Sequence, residues 1–76
     1  MKDLLVEISK AMVDNPEQVS VNEIKGGNTT VLELSVAKED LGKVIGKQGR
    51  NAQAIRTILN SASKKLQQNV VMEIIE

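Results

Sequence analysis

The chain has 76 residues, ten basic and ten acidic side chains, no net charge, and no Cys, His, Phe, Tyr or Trp. A polymer of this length buries only about 60% of its unfolded surface, so its aliphatic core is small and any association helps it. The missing residue types exclude disulfides, thiol or imidazole catalysis and Cys/His zinc sites.

The opening Met1-Lys2-Asp3-Leu4-Leu5 lacks the apolar run of a signal peptide, and nothing later reaches membrane-spanning length, so a cytoplasmic location is expected. Leu4, Leu5, Ile8, Ala11 and Met12 recur at helical spacing and Asp14-Asn15-Pro16 supplies a stop, which predicts a first helix over about residues 2–13. Residues 18–25 read as a strand, Gly26-Gly27-Asn28 as a turn, and residues 29–36 as a second strand whose Thr30, Leu32, Leu34 and Val36 share one face. From Lys38 the period changes, and Leu41, Val44 and Ile45 suit a short helix broken at Gly46 and Gly49. Beyond it Ala52, Ile55, Leu59, Ala62 and Leu66 form the stripe of a long helix. Val70 to Ile75 is an apolar, β-branched strand, expected to be central in the sheet or buried on both faces.

The order helix, strand, strand, helix, helix, strand gives a single α+β domain over residues 1–76. The hairpin pairs antiparallel, and a right-handed crossover through the helices lays the last strand parallel to the second. The expected architecture is a mixed three-stranded sheet packed against helices.

Zero net charge hides an asymmetry. Residues 41–72 hold Lys43, Lys47, Arg50, Arg56, Lys64 and Lys65 with no acid, and the remainder carries the balancing excess of acids. Inside the basic stretch lies Gly42-Lys43-Val44-Ile45-Gly46-Lys47-Gln48-Gly49-Arg50, where a short helix turns into a long one. The loop alone is compatible with a plain corner that uses Gly for positive φ. It is equally compatible with a phosphate cradle, in which the missing Cβ atoms let a nucleic-acid backbone approach the N–H groups opening the next helix. Lys43, Lys47 and Arg50 would then supply cations. The surrounding pattern V-I-G-x-x-G-R-x-A-x-x-I and the acid-free stretch favour the cradle.

That pattern resembles the KH domain, and the element order resembles its prokaryotic type II variant; the stretch Gly42 to Ile58 is similar to that of stand-alone bacterial KH proteins. The resemblance covers the whole chain. It implies a cleft for about four unpaired nucleotides, with the backbone on Gly46, Lys47, Gln48 and Gly49 and the bases on an aliphatic floor for which Val44 and Ile45 are candidates. It further implies a single-stranded RNA partner, a role as RNA chaperone or post-transcriptional regulator, self-association, pairing with a larger Jag-type KH protein, KhpB, and an influence on cell shape and cell-wall growth. Asn51 stands where such sequences often place an aliphatic residue. The absence of aromatic rings agrees with an aliphatic KH cleft and argues against RRM and OB modules, which stack bases on such rings.

An enzyme is not expected. A P-loop needs G-x-x-x-x-G-K-[ST], and here the second Gly comes one place early with no hydroxyl after the Lys. No cofactor or metal is expected either. The serious alternative is a protein-interaction module in which RNA binding is secondary. Ile58, next to Ala54 and Ser61, falls off the centre of its helix stripe and is either a peripheral core residue or an exposed dimer contact. Asp at both Gly46 and Gly49 is expected to repel phosphate without disturbing the fold.

Overall fold

The structure, a computed structural model, describes residues 1–75. Helix α1 (Lys2–Met12) carries Asp3 in its first turn and Lys10 in its last, matching the helix dipole at both ends. Its buried residues are Leu5 and Ser9, with Met1, Ile8 and Met12 partly buried against the core, whereas Leu4 and Ala11 of the expected stripe are exposed. The helix is rolled so that a serine occupies the centre of its face, which no hydrophobic pattern could signal. Val13 is extended, and Pro16–Gln18 form a 3-10 turn before the sheet begins, two residues later than the sequence suggested.

Strands β1 (Ser20–Gly26) and β2 (Thr29–Ser35) pair antiparallel, with Gly26 opposite Thr29 and Val21 opposite Leu34. Gly27, at φ +57°, makes the tight reversal. Strand β3 (Asn69–Ile74) pairs parallel with β2, Leu32 opposite Met72, giving the order β1-β2-β3. The mixed sheet is as expected, but β3 is an edge strand rather than a central one. Val70 and Met72 are buried while Val71 between them is 47% exposed. Only one face of the sheet is covered by helices, so the apolar run at 70–75 reflects strand propensity rather than burial on two sides.

Helix α2 (Leu41–Ile45) and helix α3 (Arg50–Lys65) complete the covering layer. In α3 the buried set is Ala52, Ile55, Leu59 and Ser63; Leu66 lies past the helix end and is 57% exposed. The helix closes with Gln67 at φ +56°, its N–H on the Lys64 carbonyl and that of Gln68 on the Ser63 carbonyl, the double bond of a Schellman end. Leu5, Leu32, Leu34, Val44, Ile55 and Leu59 form the wholly buried centre of an aliphatic core. That core fixes α2 and α3 against β2 and β3, and so fixes the loop between them.

Candidate nucleic-acid interface

Five residues are too few for a helix that stands by itself, and α2 is held from both ends. Before it, the 3-10 turn Lys38–Asp40 delivers Asp40, whose carboxylate is completely buried. That carboxylate accepts the N–H of Asp14 (3.2 Å), the N–H of Asn15 (3.0 Å) and the Asn15 side-chain amide (3.0 Å). The Lys43 ammonium lies 3.6 Å from it and is bonded to Asp14 as well. Burial alone would push the Asp40 carboxyl up. The bonds from Asn15 and Asp14 and the nearby Lys43 charge outweigh that, leaving it below the ordinary carboxylate value. The bond to Asp14 holds Lys43 above its usual value against partial burial, with the Asp14 and Asp40 charges adding to it.

After α2 the chain turns sharply. Gly46 donates its N–H to the Gly42 carbonyl at 2.8 Å and takes φ +76°, ψ 172°, a region essentially confined to glycine. Lys47–Gly49 make a 3-10 turn in which Gln48 (φ 57°, ψ 27°) and Gly49 (φ 72°, ψ 14°) are both left-handed, and α3 follows at once. Lys47, Gln48 and Arg50 are exposed, and the Arg50 guanidinium donates to Gln48 Oε1 at 3.2 Å.

The two glycines differ in kind. A Cβ on Gly46 would lie 2.6 Å from Asn51 Cγ and 2.8 Å from Asn51 N, whereas one on Gly49 would meet nothing within 4 Å. The expectation that Asp at both positions spares the fold is therefore corrected at Gly46, where no side chain fits. In the sequence Asn51 shows only as a departure from a pattern. Its side chain donates to the Lys43 carbonyl at 2.8 Å, bonding the end of α2 to the start of α3.

A groove leads away from the loop between α3 and β3. Its first part, about 270 Å³, is lined by Ile45, Gly49, Ala52, Arg56 and Ile74. It continues past Arg56 along Leu59, Asn60, Val70 and Met72, with about 170 Å³ more. The two parts share Arg56 and run along α3 and β3, a shape suited to a strand laid along them. Another depression of about 430 Å³, at the hairpin end beside Glu23, Lys25, Asn28 and Gln67, shares no lining residue with the loop or groove.

Of the site residues expected from sequence, Gly46, Lys47, Gln48, Gly49 and Arg50 form the loop and its exit, and Ile45 lines the groove. Val44 does not: it is wholly buried, because it sits on the core side of α2 and has no surface to offer a base. Lys43 is exposed in part but committed to two carboxylates. Ala52, Arg56 and Ile74 line the groove as well, beyond the site residues the sequence points to. Ala52 and Arg56 sit one turn apart in α3 and could have been found as one face, but Ile74 depends on β3 being an edge, which is a tertiary fact. Ile58 is 46% exposed, with Ala54 and Ser61 also exposed, so it is a surface residue and not core. Thr57, Ser61, Ala62 and Lys65 surround it in a shallow depression.

A helix, a hairpin, two helices joined by a glycine loop, and a parallel edge strand beside an aliphatic groove define a KH domain of the type II topology. The chain belongs to the KhpA/KhpB KH-domain family, whose sequence profile matches residues 2–74. It is 56% identical over 75 residues to the RNA-binding protein KhpA of Caldanaerobacter subterraneus subsp. tengcongensis, covering 99% of this chain and 100% of that one. Against the RNA-binding protein KhpA of Clostridium acetobutylicum it is 55% identical with the same coverage. Against that of Aquifex aeolicus it is 50% identical over 76 residues, covering 100% and 96%. No solved structure gives a significant match. The family is one of binding proteins rather than enzymes. Among the described residues no helix is long and apolar enough to cross a membrane.

Proposed function

We propose that the chain grips single-stranded RNA, with the sugar-phosphate backbone on Gly46–Gly49 and the bases in the groove between α3 and β3. The observation that carries this is the continuity of Gly49, open to approach because nothing lies within 4 Å of where its Cβ would stand, with an aliphatic groove bordered by the free edge of β3. Three similar proteins bear the name RNA-binding protein, which supports the choice of RNA. Lys47, Arg50 and Arg56 supply the cations. Lys43 is left out of that set because Asp14 and Asp40 already neutralise it. Among the described residues no strand neighbours the outer edge of β3, so its backbone groups can hydrogen-bond to base edges, while Ile45, Ala52 and Ile74 receive their faces.

Three cations on a single strand give a salt slope of roughly −2, at about −0.7 per neutralised phosphate, and hence a weak, salt-sensitive complex. Lys47→Asp with Gln48→Asp is the direct test, since both side chains are exposed and Asp tolerates the left-handed backbone at 48. Titration of single-stranded oligoribonucleotides should show at least a tenfold loss at low salt with an unchanged melting temperature. Unaltered affinity rejects the loop as the grip.

Weak single sites gain from pairing, and the exposed Ile58 favours a second layer to the reading: two copies associate through the outer face of α3 around Ile58, Ala54 and Ser61. Ile58→Lys should abolish a dimer in sedimentation equilibrium; a wild type that stays monomeric at high concentration ends the idea. In the cell the domain then acts in the cytoplasm as an RNA chaperone or post-transcriptional regulator, as a homodimer or with a KhpB/Jag-type partner, with cell shape and cell-wall growth as its outputs. If dimerisation proves normal and RNA binding absent, the interaction-module reading replaces this one.

A further inference from the structure

We propose that Asn51 is a positioning residue for the glycine loop, pinning the end of α2 to the start of α3 so that Gly46–Gly49 keep the shape a phosphate backbone can enter. The last clause rests on the RNA reading above; the pinning does not. The final carbonyls of any helix lack intrahelical partners, and in a helix of five residues these make up most of its carbonyls. The Lys43 carbonyl is one of them, and Asn51 Nδ2 satisfies it at 2.8 Å from across the loop.

The same lysine is tied at its other end. Its ammonium is held by Asp14 and by Asp40 at 3.6 Å, and Asp40 in turn holds the N–H groups of Asp14 and Asn15. A polar chain therefore runs from the exit of α1, through Lys43 side chain and main chain, into the first turn of α3. It bridges the loop, whose own backbone bonds run from Gly46 N–H to the Gly42 carbonyl and from Gly49 N–H to the Gly46 carbonyl. Gly46 and Asn51 are matched in space as well, since a Cβ at 46 would sit 2.6 to 2.8 Å from Asn51 atoms. Glycine is needed at 46 for its backbone angles and also because the amide of Asn51 packs there.

Two substitutions separate the hydrogen bond from the space it fills. Asn51→Leu keeps comparable bulk without a donor. Asn51→Asp is isosteric, has no donor when ionised, and regains one when its carboxyl is protonated. Hydrogen exchange and amide resonances of Gly46–Gly49 in the free protein, and affinity for single-stranded oligoribonucleotides over a salt series, are the readouts. With Leu, the hydrogen-bonded amides of Gly46 and Gly49 should exchange at least tenfold faster while those of β2 stay unchanged. RNA affinity should fall about tenfold at an unchanged salt slope, because the cations are the same. With Asp, the loop resonances should be displaced at neutral pH and return toward those of the wild type, compared at equal pH, as the carboxyl protonates.

Wild-type exchange at the loop in Asn51→Leu overturns the proposal. So does faster exchange spread evenly over the sheet, which would make Asn51 a general stabiliser. A wild-type chain that ignores RNA at low salt defeats the RNA reading instead, and the loop amides still judge the brace.

Discussion

Gly46→Ala and Gly49→Ala change the same residue type within one four-residue loop, and their costs should differ. At Gly46 the backbone angles φ +76°, ψ 172° lie where an L-residue costs about 1–3 kcal/mol. The new methyl also meets Asn51 at 2.6 Å, so that side chain must leave the Lys43 carbonyl and forfeit a hydrogen bond worth ~0.5–1.5 kcal/mol. Reduced freedom of the unfolded chain returns about 0.4–1 kcal/mol. The balance is a loss of about 2 kcal/mol, or roughly 10 °C in Tm for a domain of this size. At Gly49 the cost is only that of a left-handed alanine, ~1–2 kcal/mol before the same refund, and its methyl faces open space. Its effect should fall on RNA affinity, since Gly49 lines the groove. With no Trp or Tyr to fluoresce, urea unfolding followed by circular dichroism is the assay, and equal m-values confirm that the same transition is compared. Equal stability of the two variants, or a more stable Gly46→Ala, would refute the steric argument.

Gln67 occupies the left-handed position of the α3 terminus at φ +56°, where glycine is the residue of choice; Gln67→Gly should raise stability by about 0.5–1 kcal/mol in the same unfolding experiment. Asp40 titrates below its ordinary 3.8 in the folded chain, so its contribution is complete above that value and is lost as the pH falls through the lower folded pKa. Asp40→Asn should therefore lower Tm at neutral pH and flatten the acid limb of a Tm-against-pH curve. An acid limb as steep as that of the wild type would show that other carboxylates carry it.

Element order, strand pairing and the loop could all be read from the chain because each rests on a local signal: a switch between periods of 3.6 and 2, a Pro after Asp14-Asn15, and glycines at a corner. What could not be read depends on which surface meets which. Val70–Ile75 is apolar whether the strand is central or at an edge, and only the packing of α3 decides. Val44 and Ile45 are adjacent aliphatics, yet the pitch of α2 sends one into the core and leaves the other for the groove. Lys43 counts as a cation in the sequence and is cancelled in space by Asp14 and Asp40, 29 and three residues away along the chain.

Strand β3 ends the sheet with a free rim. A row of unpaired amides and carbonyls, backed by β-branched side chains, will accept any extended chain that reaches it, whether nucleotide or peptide. RNA lying in the groove as proposed would also shield that rim from a stray strand of another molecule, so the bound protein should clump more slowly than the free one.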